Sequence, residues 1–210
     1  LKDLSSPAWH TPVLQQSFII SYIVLAPFVG AFADSLPKGR VMFISNIIKL
    51  AGCLAMLVGV HPLLAYCLVG LGAAAYSPAK YGILTEYLPP DQLVKANSWM
   101  EGLTVAAIVL GAVVGGILIS PAITAPLLQT LDTPLLGSIA ELAIAVIVLI
   151  YIAAAIVNLY IPHVAIDHKP LNRSPVFLAR DFWHCFRLLW KDPLGQVSLA
   201  VTTLFWGAGA

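Results

Sequence analysis

The chain has 210 residues, of which 60% are hydrophobic and only 10% charged, with a formal net charge of +1. An ordinary soluble domain runs at roughly 45–50% apolar and about 25% charged residues, so this composition excludes a soluble globular domain. The net charge itself says little about partners, because its distribution along the chain matters more than the sum, and no nucleic-acid partner is expected.

Five stretches reach the roughly 20 helical residues that a hydrocarbon core requires: residues 13–33, 41–60, 63–84, 97–119 and 135–161, with a sixth beginning near Val197. The expected fold class is therefore all-α, a polytopic transmembrane helix bundle. The first apolar run has full span length, so it does not read as a cleavable signal. The chain begins at Leu1 without an initiator methionine and stops at Ala210 inside an apolar run, which suggests an internal piece of a longer polypeptide. Its expected divisions are a bundle over 1–161, a polar connector over 162–194 and the start of a further span over 195–210.

Basic residues set the orientation, because Lys and Arg accumulate in cytoplasmic connections. Lys38, Arg40, Lys95, Lys169, Arg173, Arg180, Arg187 and Lys191 all fall on one side, whereas only Lys2 falls on the other. The first span then runs inward, and an earlier span is expected before it.

Between the first two spans lies Gly30-Ala31-Phe32-Ala33-Asp34-Ser35-Leu36-Pro37-Lys38-Gly39-Arg40. Asp34 puts a carboxylate at the cytoplasmic face, and Lys38 and Arg40 supply cations across a tight turn. This block resembles the Gly-x-Leu-Ala-Asp-x-x-Gly-Arg signature of the major facilitator superfamily. Pro37-Lys38 lengthens the gap between Asp34 and Gly39 by two residues, and Phe32 replaces Leu. The resemblance implies a conformational latch built from Gly30, Asp34, Gly39 and Arg40, with direct substrate contact as the alternative role.

Further blocks are Ala26-Pro27-Phe28-Val29-Gly30, Asn46 with Lys49, the run from Gly72 through Ser77-Pro78-Ala79-Lys80-Tyr81-Gly82 to Leu84, Lys95-Ala96-Asn97, and Leu204-Phe205-Trp206-Gly207-Ala208-Gly209. Together they resemble the bacterial lysophospholipid transporter family, a branch of that superfamily, along essentially the whole chain. The resemblance implies a twelve-helix inner-membrane transporter of which this chain holds the second to sixth helices, the central loop and the start of the seventh. It also implies inward movement of lysophosphatidylethanolamine and lysophosphatidylglycerol, no cofactor, and a functional link to a cytoplasmic acyltransferase/acyl-ACP synthetase that restores diacyl lipid.

Charge inside the spans is compatible with such cargo, since an intramembrane ionisable group costs a few kcal/mol unless a partner or a hydrated cavity relieves it. Lys80 lies near the inner end of the third span and Glu101 near the inner end of the fourth. At about 1.5 Å per residue they sit at one level, which predicts a pair with either a substrate or a structural role. Lys49 lies about 13 Å along its span by the same rise, with Asn46 one turn earlier, and both are candidates for substrate or gating roles. Glu141, near the outer edge, reads as a weaker candidate that water can reach.

The remaining features are architectural. Pro27 and Pro78 remove backbone donors within spans. Gly111, Gly115 and Gly116, like Gly70 and Gly72, have the spacing of close helix crossings. Cys53, Cys67 and Cys185 lack metal-ligand spacing and are expected to be buried thiols. Ser174-Pro175 starts a helix in which Arg180, His184, Arg187 and Lys191 recur at helical spacing opposite Leu178, Phe182, Cys185, Phe186 and Leu189. That helix belongs either on the inner membrane surface or against the bundle's cytoplasmic end. A membrane-bound acyltransferase or lipid hydrolase finds no Gly-x-Ser-x-Gly elbow, phosphate-binding loop or His-x4-Asp pattern here. A facilitator exporting a drug or small metabolite stays open, because the fold alone does not choose cargo.

Overall fold

A computed structural model describes residues 10–131, 137–162, 164, 170–171 and 174–209. Among them the chain forms eight helices: α1 (His10–Ser35), α2 (Lys38–Leu57), α3 (Pro62–Tyr87), α4 (Pro90–Ile119), α5 (Pro121–Leu131), α6 (Ile139–Leu159), α7 (Pro175–Lys191) and α8 (Pro193–Gly209). Five are long and apolar enough to cross a membrane: α1 from Pro12, α2, α3, α4 and α6. The prolines punctuate this architecture instead of breaking it. α3, α4, α5, α7 and α8 each open on a proline, where the missing N–H is one that a first helical turn leaves unpaired anyway. α1 and α3 continue through Pro27 and Pro78.

The chain forms two compact units, Leu1–Lys169 and Pro170–Ala210. In the first, α2 packs against α3 and α6, and α3 packs against α1. Close approach of α2 and α3 depends on two glycines. A Cβ at Gly52 would stand 2.8 Å from the Ala65 carbonyl oxygen, and one at Gly72 would stand 2.7 Å from the Ser45 carbonyl oxygen. Two apolar clusters flank the crossing. Ala33, Val41, Met42 and Ala79 form one, and Cys53, Val69 and Val148 the other. Buried small residues and outward-facing Ile, Leu and Val are the pattern expected when lipid, not water, surrounds the bundle, since association there relies on close packing of small residues.

Several expectations need correction. Between the expected spans 97–119 and 135–161 lies no plain connection, because Pro121–Leu131 is helical. The Ser120 carbonyl accepts from Ile123 N and Thr124 N, so Pro121 initiates a turn of otherwise helix-compatible residues. The fourth span begins at Pro90, so Lys95 lies on the helix and not before it. The glycine face of Gly111, Gly115 and Gly116 meets nothing within 4 Å, whereas Gly70 faces Phe18 and Ser21 and Gly72 faces α2. α4 has no buried residue at all. Of the cysteines, Cys53 is buried but Cys67 and Cys185 are exposed.

In the second unit, α7 and α8 are separated by Asp192 alone. The Ser174 hydroxyl accepts from Phe177 N at the start of α7.

Candidate functional site

At one end of the bundle the α1–α2 connection meets the ends of α3 and α6. Lys38 Nζ donates to the Ala33 carbonyl at 2.8 Å and to Asp34 Oδ1 at 2.8 Å, and lies 3.3 Å from Glu86 Oε1. Its side chain is only 5% exposed, against 18% for Glu86 and 68% for Asp34. Lys38 reaches this position across Gly82, where a Cβ would come within 3.1 Å of Lys38 Cε. Gly39 lies against Ile161, and the Tyr87 hydroxyl donates to the Pro162 carbonyl. Three helix ends are thereby tied by one buried ammonium and its neighbours.

The cation meeting Asp34 is thus Lys38, not Arg40, which is exposed. Gly30, which the resemblance implies is part of the latch, has nothing within 4 Å of a Cβ built on it. The signal for Lys38 was the two-residue extension of the signature. Helix α2 starts at that residue, so Arg40, two positions later, projects about 200° away around the helix.

The second group lies between α3 and α4. Lys80 Nζ donates to Thr104 Oγ1 at 2.6 Å, and Thr104 Oγ1 in turn donates to the Met100 carbonyl at 2.7 Å. The Lys80 ammonium is also 5.0 Å from the Tyr81 ring centroid. Glu101 lies one turn before Thr104 on α4, near the Tyr81 hydroxyl, and its Oε2 is buried without a hydrogen-bond partner. Lys80 and Glu101 thus share an interface without forming the ion pair that their common level suggested. With α4 starting at Pro90, Glu101 lies roughly 16 Å along the helix, against about 6 Å from the expected start at Asn97. An open cleft of about 300 Å³, lined by Tyr81, Leu84, Thr85, Leu93, Val94 and Asn97, runs between the same helices. Thr104 and Tyr81 were not singled out from sequence; Tyr81 stood within the Ser77-Pro78-Ala79-Lys80-Tyr81-Gly82 run.

Lys49 belongs to a third group, inside the bundle. Its ammonium lies 4.2 Å from the Tyr76 ring centroid and 5.2 Å from that of Tyr151, on α3 and α6. Lys49 is 8% exposed, and Asn46, one turn earlier, is buried with its Nδ2 unpartnered. Two ring faces supply about 2 kcal/mol or more each when desolvated, which offsets part of the cost of placing the cation there. Neither Lys49 nor Asn46 joins the α3–α4 group. Glu141 has a local role: Ser138 Oγ accepts from Glu141 N at 3.2 Å and Glu141 Oε2 accepts from Ser138 N at 2.9 Å. This is a capping box at the start of α6, and Ser138-Ile139-Ala140-Glu141 is its sequence signal. No group of metal-binding side chains occurs among the described residues.

The sequence profile described as Major Facilitator Superfamily matches residues 11–210. The chain is 46% identical over 209 residues to the lysophospholipid transporter LplT of Serratia proteamaculans (strain 568), covering 100% of this chain and 48% of the relative. It is 47% identical over 209 residues to the proteins of the same name from Yersinia pestis (strain Pestoides F) and Yersinia pseudotuberculosis serotype O:3 (strain YPIII), covering 100% of this chain and 47% of each. The chain spans about half the length of these curated relatives.

Proposed function

The chain belongs to the major facilitator superfamily, and from that premise we propose that it is part of a multi-pass inner-membrane transporter carrying lysophospholipids inward. In this reading the α3–α4 group binds the headgroup. The observation that carries it is the separation of Lys80 from Glu101. Each keeps bonding capacity that a direct pair would use up, Glu101 through an unpartnered Oε2 and Lys80 through the donors not given to Thr104.

A lysophosphatidylethanolamine headgroup carries both signs of charge. Its phosphate would take the Lys80 ammonium as donor, and its ammonium would give hydrogen bonds to Glu101. Charge-assisted bonds of this kind are about twice as strong as neutral ones. Lysophosphatidylglycerol has hydroxyls in place of the ammonium, and these can donate to the same carboxylate. The apolar part of the α3–α4 cleft, Leu84, Leu93 and Val94, suits the single acyl chain beside it. The cargo delivered this way is the substrate that a cytoplasmic acyltransferase/acyl-ACP synthetase would return to diacyl lipid. The Asp34–Lys38–Glu86 cluster serves as the latch, because it joins the ends of helices that must separate or slide if the inner side is to open.

The test is uptake of labelled lysophosphatidylethanolamine and lysophosphatidylglycerol by spheroplasts carrying the full-length gene. Lys80→Ala should abolish uptake of both cargoes, since both present phosphate. Glu101→Gln should depress ethanolamine-lipid uptake more than glycerol-lipid uptake, since only the former offers a cation. Uptake equal with and without the gene overturns the transport reading, and parental uptake by both variants overturns the site.

A further inference from the structure

We propose that α7 is a surface helix that binds the anionic lipids of the membrane the spans cross. No residue of the helix is buried, and all but Leu178 are exposed; its side chains form two adjoining stripes. Arg180, His184, Arg187 and Lys191 recur at steps of four, three and four residues, which places them on one helical face. Next to that stripe run Trp183, Phe186 and Trp190, with ring centroids 5.6 Å and 5.9 Å apart in stacked geometry. The Arg187 guanidinium joins the stripes, 5.8 Å from the Trp183 ring centroid. Together with Lys191 these residues line an open groove of about 360 Å³.

Charge and shape select the occupant. Asp181 is the helix's one acid, so the polar edge is cationic. An aromatic ladder bordered by cations suits a surface that is apolar on one side and anionic on the other. A lipid leaflet is such a surface: Trp sits at the headgroup level, the apolar face enters the acyl boundary, and basic side chains meet anionic headgroups. The helix is also held at the start of an apolar helix. Asp192 Oδ2 accepts from Gly195 N at 3.1 Å, and Gln196 Nε2 donates to the Trp190 carbonyl at 2.8 Å. A Cβ at Gly195 would collide with the Leu189 carbonyl oxygen, so the turn from α7 into α8 is tight. Trp190 and Lys191 therefore stand next to the entry of α8, itself an apolar helix.

Cys185, exposed on the apolar side of α7, provides the reporter. The full-length protein with Cys53→Ser and Cys67→Ser and any other cysteines removed is spin-labelled at Cys185. It is then reconstituted in phosphatidylcholine liposomes with and without phosphatidylglycerol. With the anionic lipid, the label should become accessible to oxygen and shielded from a water-soluble nickel relaxant. The triple variant Arg180→Gln, Arg187→Gln, Lys191→Gln should lose roughly a hundredfold in the docked-to-undocked ratio, taking about 1 kcal/mol per surface cation and tenfold per 1.4 kcal/mol. An unchanged thermal transition shows that this variant is folded, as expected for exposed positions. A water-exposed label in both lipids overturns the proposal. So does equal shielding in both lipids and in the triple variant, which would mean that α7 packs on protein instead.

Discussion

Removing the Lys38 ammonium tests whether the cluster at the helix ends is a structural clamp with an exposed working arm. Lys38→Ala eliminates the bonds to the Ala33 carbonyl and Asp34 and the ion pair with Glu86. Asp34 is 68% exposed, so water replaces its lost partner and that arm contributes at most about 1 kcal/mol. Glu86 is only 18% exposed and would be left with little compensation. Breaking a fully buried pair costs about 3–5 kcal/mol. With Glu86 partly hydrated at the helix end, a total of roughly 2–3 kcal/mol is expected for Lys38→Ala, between that limit and the surface value. Glu86→Gln should cost about 1 kcal/mol, because Lys38 keeps the Ala33 carbonyl and Asp34. Asp34→Asn should cost less than about 1 kcal/mol while impairing transport. The assay is the apparent unfolding temperature of the purified full-length protein, compared at one scan rate, together with lysophospholipid uptake for each variant. Asp34→Asn destabilising as much as Lys38→Ala would refute the division of roles, and a neutral Lys38→Ala would refute the clamp itself.

Three more outcomes are expected. Gly72→Ala places a methyl group 2.7 Å from the Ser45 carbonyl oxygen, which belongs to helix backbone and cannot step aside; a loss of about 1–3 kcal/mol follows, and an unchanged thermal transition would contradict the close crossing. Ser138→Ala removes one arm of the α6 capping box and should cost about 1 kcal/mol with lysophospholipid uptake intact; impaired uptake at full stability would give Ser138 a functional role. The orientation derived from the basic connections requires a cysteine at Asp91 to react only after permeabilisation and one at Ala122 to react in intact cells, and the reversed pattern would invert the topology.

What could be read in the sequence and what could not divides along one physical line. Hydropathy summed over about 20 residues is a one-dimensional signal, so the spans corresponding to α1, α2, α3, α4 and α6 were legible. A site needs azimuth as well as depth, and azimuth changes by about 100° per residue. Lys80 and Glu101 were correctly given to neighbouring spans, yet the donor bond of Lys80 goes to Thr104, three residues beyond Glu101 on α4. Likewise Lys38 rather than Arg40 meets Asp34, because two residues along a helix turn a side chain by about 200°. The capping box at Ser138 and Glu141 was different: its signal is local and was there to be read, but hydropathy placed the carboxylate near the water as a weak site candidate and missed its capping role. Lys49 lies between these cases. Its depth was legible, while Tyr76 and Tyr151, which flank it from α3 and α6, come together only through the folded bundle. The same geometry separates a buried cation from a half-buried one: Lys49 is held by ring faces inside the bundle, whereas Lys80 opens towards a helix with no buried residue. Of the two, Lys80 is the one reachable without parting the α2–α3 crossing, as the proposed headgroup contact requires.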